Sequence, residues 1–79
     1  LVDRDRYQLT VHFRQRLAQR GMFWSDILLI LEEPDDVREN GEDDQGAERW
    51  IISGDAGLGA IDFVVVIDHV ARFITLFWS

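Results

Sequence analysis

The chain has no cysteine and no lysine, a single proline, and only two histidines. Without cysteine, neither a disulfide nor a thiolate zinc site can staple the fold, so helix–sheet packing must hold it. Without lysine, all eight basic residues are arginines. Arginine grips phosphate or carboxylate through two parallel donors but does not serve as a general base near neutral pH. That leaves His12 and His69 as the only side chains of a type that ordinarily changes charge there. Long hydrophobic runs are also missing. The purely apolar stretch over residues 27–31, equalled in length by 63–67 and exceeded by none, is far too short to span a bilayer, and no segment resembles a signal peptide. No membrane contact is expected, and the expected compartment is the cytoplasm.

What is present fits one small domain over residues 1–79, with no room for a second core. Apolar residues make up 47% of the chain and aromatics 11%, too many for a disordered segment. A net charge of −7 argues against general, nonspecific affinity for nucleic acid, because a polyanion is repelled at long range. The charge is segregated, however. Residues 1–24 hold five arginines and two aspartates, a local balance of +3, while residues 25–62 hold twelve acids and two arginines, a balance of −10.

Thr10 predicts an N-cap and Gly21 a C′ position, bracketing a helix of roughly ten residues. Ser25 predicts a second N-cap, with Asp26 suited to the positive end of the helix that follows. Residues 27–31 are apolar nearly all round, which predicts deep burial. Pro34 ends that helix. The period then changes. Residues 37–40, 47–53, 61–67 and 72–78 read as strands, joined by turns at 41–46, 54–59 and 68–71. Such short connections favour an antiparallel meander. The expected fold is therefore α+β: two N-terminal helices packed on one face of a three- to four-stranded antiparallel sheet.

Chemistry concentrates in the first helix. His12, Arg16 and Arg20 recur every four residues and stack on one side, with about 40° of drift per step. One imidazole beside two permanent cations has the makings of a phosphodiester site, with positive charge for the nonbridging oxygens and a group to move a proton. Read structurally, Arg20 complements the helix C-terminal dipole, Arg16 pairs with acids of the second half, and His12 fixes the start of the helix.

The helix pattern Thr-x-His-x3-Arg-x3-Arg-Gly, taken with the order of elements, resembles a family of small bacterial proteins allied to the RelE/ParE toxin superfamily, with BrnT-type toxins as more distant relatives. The residues that carry the likeness are Thr10, His12, Arg16, Arg20 and Gly21, then Glu33-Pro34-Asp35, Arg49-Trp50-Ile51, and Val64-Val65-Val66 with Thr75. It extends over residues 7–78. The resemblance implies a RelE-like fold and a toxin-like component of a toxin–antitoxin pair, with metal-independent, cofactor-free RNA cleavage as its activity. The implied partners are RNA and an antitoxin protein. On this reading Arg16 and Arg20 clamp phosphate, His12 transfers the proton, and Arg49 adds a contact if it shares the helix-bearing face. The competing expectation is a noncatalytic interaction domain, a homodimer or adaptor that keeps the fold.

Other features carry less chemistry. Arg49, as a mid-sheet residue, would otherwise pair with an acid across strands. His69 beside Asp68 fits polar turn chemistry. The acids between Glu32 and Glu48 lack the ligand spacing of a calcium loop, and two distant histidines make no zinc signature, so no metal is expected. They read as a solvated hairpin pairing with the first helix. Residues 54–59 are glycine-rich, but a strand follows where a phosphate loop needs a helix. Finally, strict alternation places Val64, Val66, Phe73 and Phe77 on the sheet face away from the helices, a predicted apolar interface for an antitoxin or a second copy.

Overall fold

The computed structural model describes residues 7–57 and 59–78. The elements run β1 (Tyr7–Leu9), α1 (Val11–Gln19), α2 (Trp24–Glu32), β2 (Asp36–Glu42), β3 (Glu48–Asp55), β4 (Ala60–Ile67) and β5 (Ala71–Trp78). All strands join one sheet in the order β1-β5-β4-β3-β2. The α+β class is as the sequence predicts, but the sheet has five strands rather than three or four, and it is mixed. β1 lies parallel to β5, with Tyr7 opposite Ala71 and Leu9 opposite Phe73. Three residues are too few to display a period, so this strand left no pattern to read.

Both helices cover one face. Phe13 and Leu17 of α1, and Ile27 and Ile30 of α2, share a buried cluster with Ile52, Ile61, Phe63, Val65, Phe73 and Leu76. The rings of Phe13, Phe63 and Phe73 meet edge-on or tilted at 5.4–6.4 Å. Each fully buried ring contributes about 1.5–3 kcal/mol of transfer free energy. α2 lies close to β3 because Gly54 has no side chain there. A Cβ at that position would fall 2.6 Å from Ile30 Cγ2.

The helix ends follow local chemistry. Thr10 caps α1 as predicted, its hydroxyl accepting from the Phe13 N–H at 3.1 Å. Gly21 takes φ 64° just beyond the helix, a conformation that costs glycine little. The second cap differs from expectation. α2 begins one residue before Ser25, and the Asp26 carboxylate reaches back to accept from the Phe23 N–H at 2.8 Å. Nor is the apolar run of α2 buried all round, since Leu29 is 57% exposed. A nine-residue helix on a sheet has one inner stripe, filled here by Ile27 and Ile30.

The predicted apolar interface is corrected by a β-bulge. Val64 faces Thr75, but Val65 faces Phe73, so Ile74 is an extra residue in β5. The extra residue inverts alternation along the strand. Leu76 and Phe73 therefore both enter the helix-packed core, and Phe73 is fully buried rather than on the outer face. Val64 and Val66 do lie on the outer face, outside that cluster, but are only 4% exposed. Phe77 alone of the four is open, at 41%.

Candidate active site along α1 and the end of β5

The bulge that buries Phe73 also positions the candidate site. Its carbonyls turn toward α1: the Thr10 hydroxyl lies 3.0 Å from both Phe73 O and Ile74 O, and the Thr10 N–H donates to Phe73 O at 3.2 Å. One side chain thus caps the helix and fastens it to the strand. β1 stops pairing at Phe73, and α1 runs beside the part of β5 that lies beyond. The column of His12, Arg16 and Arg20 follows that stretch.

His12 is exposed, and its Nε2 lies 3.0 Å from the Thr75 hydroxyl oxygen. Arg16 Nε approaches the same nitrogen at 3.5 Å, long for a hydrogen bond. These contacts compete. Nε2 accepts from Arg16 only when it carries no proton, and when it does carry one it can donate to Thr75. At the far end, the Arg20 guanidinium carbon sits 5.4 Å from the centroid of the Trp78 ring, within cation–π range. Arg20 Nε is buried and makes no hydrogen bond among the described residues.

Among the described residues, no carboxylate is in ion-pair contact with this column. The ion pairs among the described residues join Arg38 to Asp36 and Asp62, and Arg72 to Asp68; none involves Arg16 or Arg20. The expected pairing between the first helix and the acidic second half is therefore not found among the described residues. Asp43 instead organises its own turn, its Oδ1 accepting from the Gln45 and Ala47 N–H groups at 2.9 and 2.8 Å.

Arg49 does not join the cluster. It lies opposite Val66, one residue out of step with Trp50 and Ile52, and so on the sheet face away from the helices. Its Nε is buried without a partner among the described residues, so the cross-strand ion pair expected for it is not found there either. On the same face, Asp43, Asp44 and Gln45 fold toward Val66, Arg72 and Ile74 around an open cavity of about 300 Å³. His69 occupies a turn, as expected. Beside it, the Val70 N–H, with help from the Arg72 guanidinium, holds the Asp68 carboxyl below its usual value. The expected 54–59 turn is shorter than the sequence suggests, because Gly54 and Asp55 pair with Ile61 and Ala60; Asp55 Oδ1 accepts from the Gly57 and Gly59 N–H groups, and Leu58 lies outside the described residues. Among the described residues, no three His, Asp or Glu side chains are grouped to hold a metal ion. No helix there is long and apolar enough to cross a membrane.

Two members of the site escaped sequence reasoning as functional groups. Thr75 entered only through the family pattern, and Trp78 only as one more residue on a strand face. The signal for both was their place in β5 relative to a bulge that the sequence does not announce. Comparisons with protein-family models, curated proteins and solved structures gave no match.

Proposed function

We propose that this chain is the toxin-like component of a toxin–antitoxin pair, with a RelE-like arrangement, and that it cleaves RNA at the His12–Arg16–Arg20 column. One observation carries the reading. In a chain of net charge −7, two arginines and a histidine stand in line with no carboxylate in ion-pair contact among the described residues. Cations left unpaired amid so many acids suit an anion that comes from outside.

The chemistry follows from the groups available. His12 Nε2 takes the proton of a ribose 2′-hydroxyl as its oxygen bonds to phosphorus. The bond from phosphorus to the 5′ oxygen breaks, and that oxygen takes a proton from solvent, leaving a cyclic phosphate and a free 5′-hydroxyl. Arg16 and Arg20 offset the charge on the nonbridging oxygens. Thr75 holds that nitrogen in the free protein, and the 2′-hydroxyl takes its place when RNA binds.

Inducing the chain without a partner should slow bacterial growth, and Arg16→Ala with Arg20→Ala should abolish the effect. Two lost charge-assisted contacts are worth on the order of a hundredfold or more in rate. A thermal melt checks that the double variant folds. A wild type without effect on growth, or a folded double variant of equal toxicity, refutes the catalytic reading. A second reading, a noncatalytic interaction domain, is favoured by the exposure of Phe23 at 73% and Leu29 at 57% on and beside α2. It predicts no growth effect and complex formation that is sensitive to Phe23→Ser.

A further inference from the structure

The geometry points to Trp78 as a stacking platform for one base of single-stranded RNA, at the Arg20 end of the cationic column. This deepens the proposed function and rests on the column being a phosphate site.

Trp78 is 47% exposed although its strand neighbour Leu76 is fully buried and its β4 partner Ile61 is in the core. The ring thus offers an open flat surface next to Arg20. It is also held firmly. Arg20 sits over the ring, and Gly59 packs against its six-membered edge, where a Cβ would lie 3.2 Å from Cζ3. Gly59 has φ 117°, so a larger residue there would be strained as well as crowded. A ring fixed in advance loses little freedom when a flat partner stacks on it.

The position selects the partner. Arg16 and Arg20 are four residues apart, about 6 Å along the helix axis, with His12 about 6 Å further on. An aromatic face at the end of a line of unpaired cations matches a single strand, whose backbone follows the charges while a base turns onto the ring. Every base has such a face, so the platform supplies affinity for single strands without fixing sequence. A free polyanion has charge but nothing to stack, and duplex RNA keeps its bases inside.

The test compares a short single-stranded RNA with inorganic polyphosphate of matched charge, using fluorescence anisotropy and competition. Wild type should prefer the RNA. Trp78→Ala should weaken RNA binding roughly tenfold, within the range of one stacked base, with polyphosphate binding changed less than about twofold. Trp78→Phe should recover most of the loss. Because Trp78→Ala also frees Arg20, equal weakening toward both ligands would mean that the ring only holds the arginine, and the platform is refuted. Unchanged RNA binding refutes it too. The wild-type indole N–H signal of Trp78 provides a check without substitution: RNA should move it and polyphosphate should not, and an unmoved signal overturns the proposal. Binding of neither ligand removes the phosphate site along with the platform, whereas binding with stacking but no cleavage removes only catalysis.

Discussion

Replacing Gly54 by alanine should destabilise the protein through a single contact. Gly54 is buried in β3, and a Cβ there would lie 2.6 Å from Ile30 Cγ2, 3.3 Å from Cγ1 and 3.4 Å from Cβ. The Ile30 side chain meets it at its branch point, not at a flexible tip. Ile30 is only 2% exposed, so it has nowhere to turn. Overpacking of this kind costs about 1–3 kcal/mol. Alanine recovers about 0.5–1 kcal/mol by restricting the unfolded chain relative to glycine. At 2.6 Å the clash belongs in the upper part of the overpacking range, about 2–3 kcal/mol, so the net loss is about 1–2.5 kcal/mol, or about 4–20 °C in Tm for a domain of this size. A double-mutant cycle isolates the cause. Ile30→Ala alone should cost about 2–5 kcal/mol, but it removes Cγ1 and Cγ2, so Gly54→Ala should then be neutral or slightly stabilising. The coupling read from urea melts should exceed about 1 kcal/mol. Additivity within about 0.5 kcal/mol would refute the close approach of α2 to β3, as would a neutral Gly54→Ala in the wild-type background.

Thr10→Val should lower stability by about 1–2 kcal/mol, since the hydroxyl both caps α1 and bonds the bulge carbonyls. Thr10→Ser should restore most of it in the same thermal melt, and a neutral valine variant would show that the cap does not hold helix to strand. Asp68 should titrate in NMR below its ordinary value of 3.8. A depressed folded value means that its contribution to the 68–70 turn is present above that ordinary value and is lost as pH falls through the lowered one. Because the Val70 N–H is the largest cause, Arg72→Ala should raise the titration point only part of the way; full recovery would assign the shift to the arginine instead.

Sequence reasoning reached the parts of this fold that are specified locally. Thr10 and Gly21 bracket α1 because capping and positive φ are matters of a few neighbouring residues. The strand read over 61–67 lies wholly within β4 because the segment is rich in β-branched residues. What was missed depends on distant pairing. β1 exists only because β5 offers it an edge, and the bulge at Ile74 only because β5 must satisfy β1, Thr10 and β4 together. That one inserted residue sent Phe73 inward and dissolved the apolar patch inferred from alternation. The same blindness affected the site. His12, Arg16 and Arg20 are visible through helical spacing, whereas the face of Arg49 stays open in the sequence because no local rule states which face of a sheet the helices will cover.

The sheet order also explains how these cations have no ion-pair partner among the described residues of so acidic a chain. Asp36, Glu39 and Glu42 lie on β2, at the opposite edge of the sheet from β1 and three strand positions from β5. At about 4.8 Å per strand, that is about 14 Å. The Debye length at physiological salt is about 8 Å, so these charges reach the column only weakly. The next acids in sequence, Asp43 and Asp44, fold toward Val66 and Arg72 on the face opposite the helices. The β2–β3 hairpin, with seven of the fifteen acids, is thus held at the far edge and on the far face. A polyanion approaching α1 along the β5 edge meets local positive charge before it meets the net charge of the molecule. Moving acids into that approach should therefore do more harm to binding than removing the same number of arginines from the outer face, where Arg72 is already engaged by Asp68.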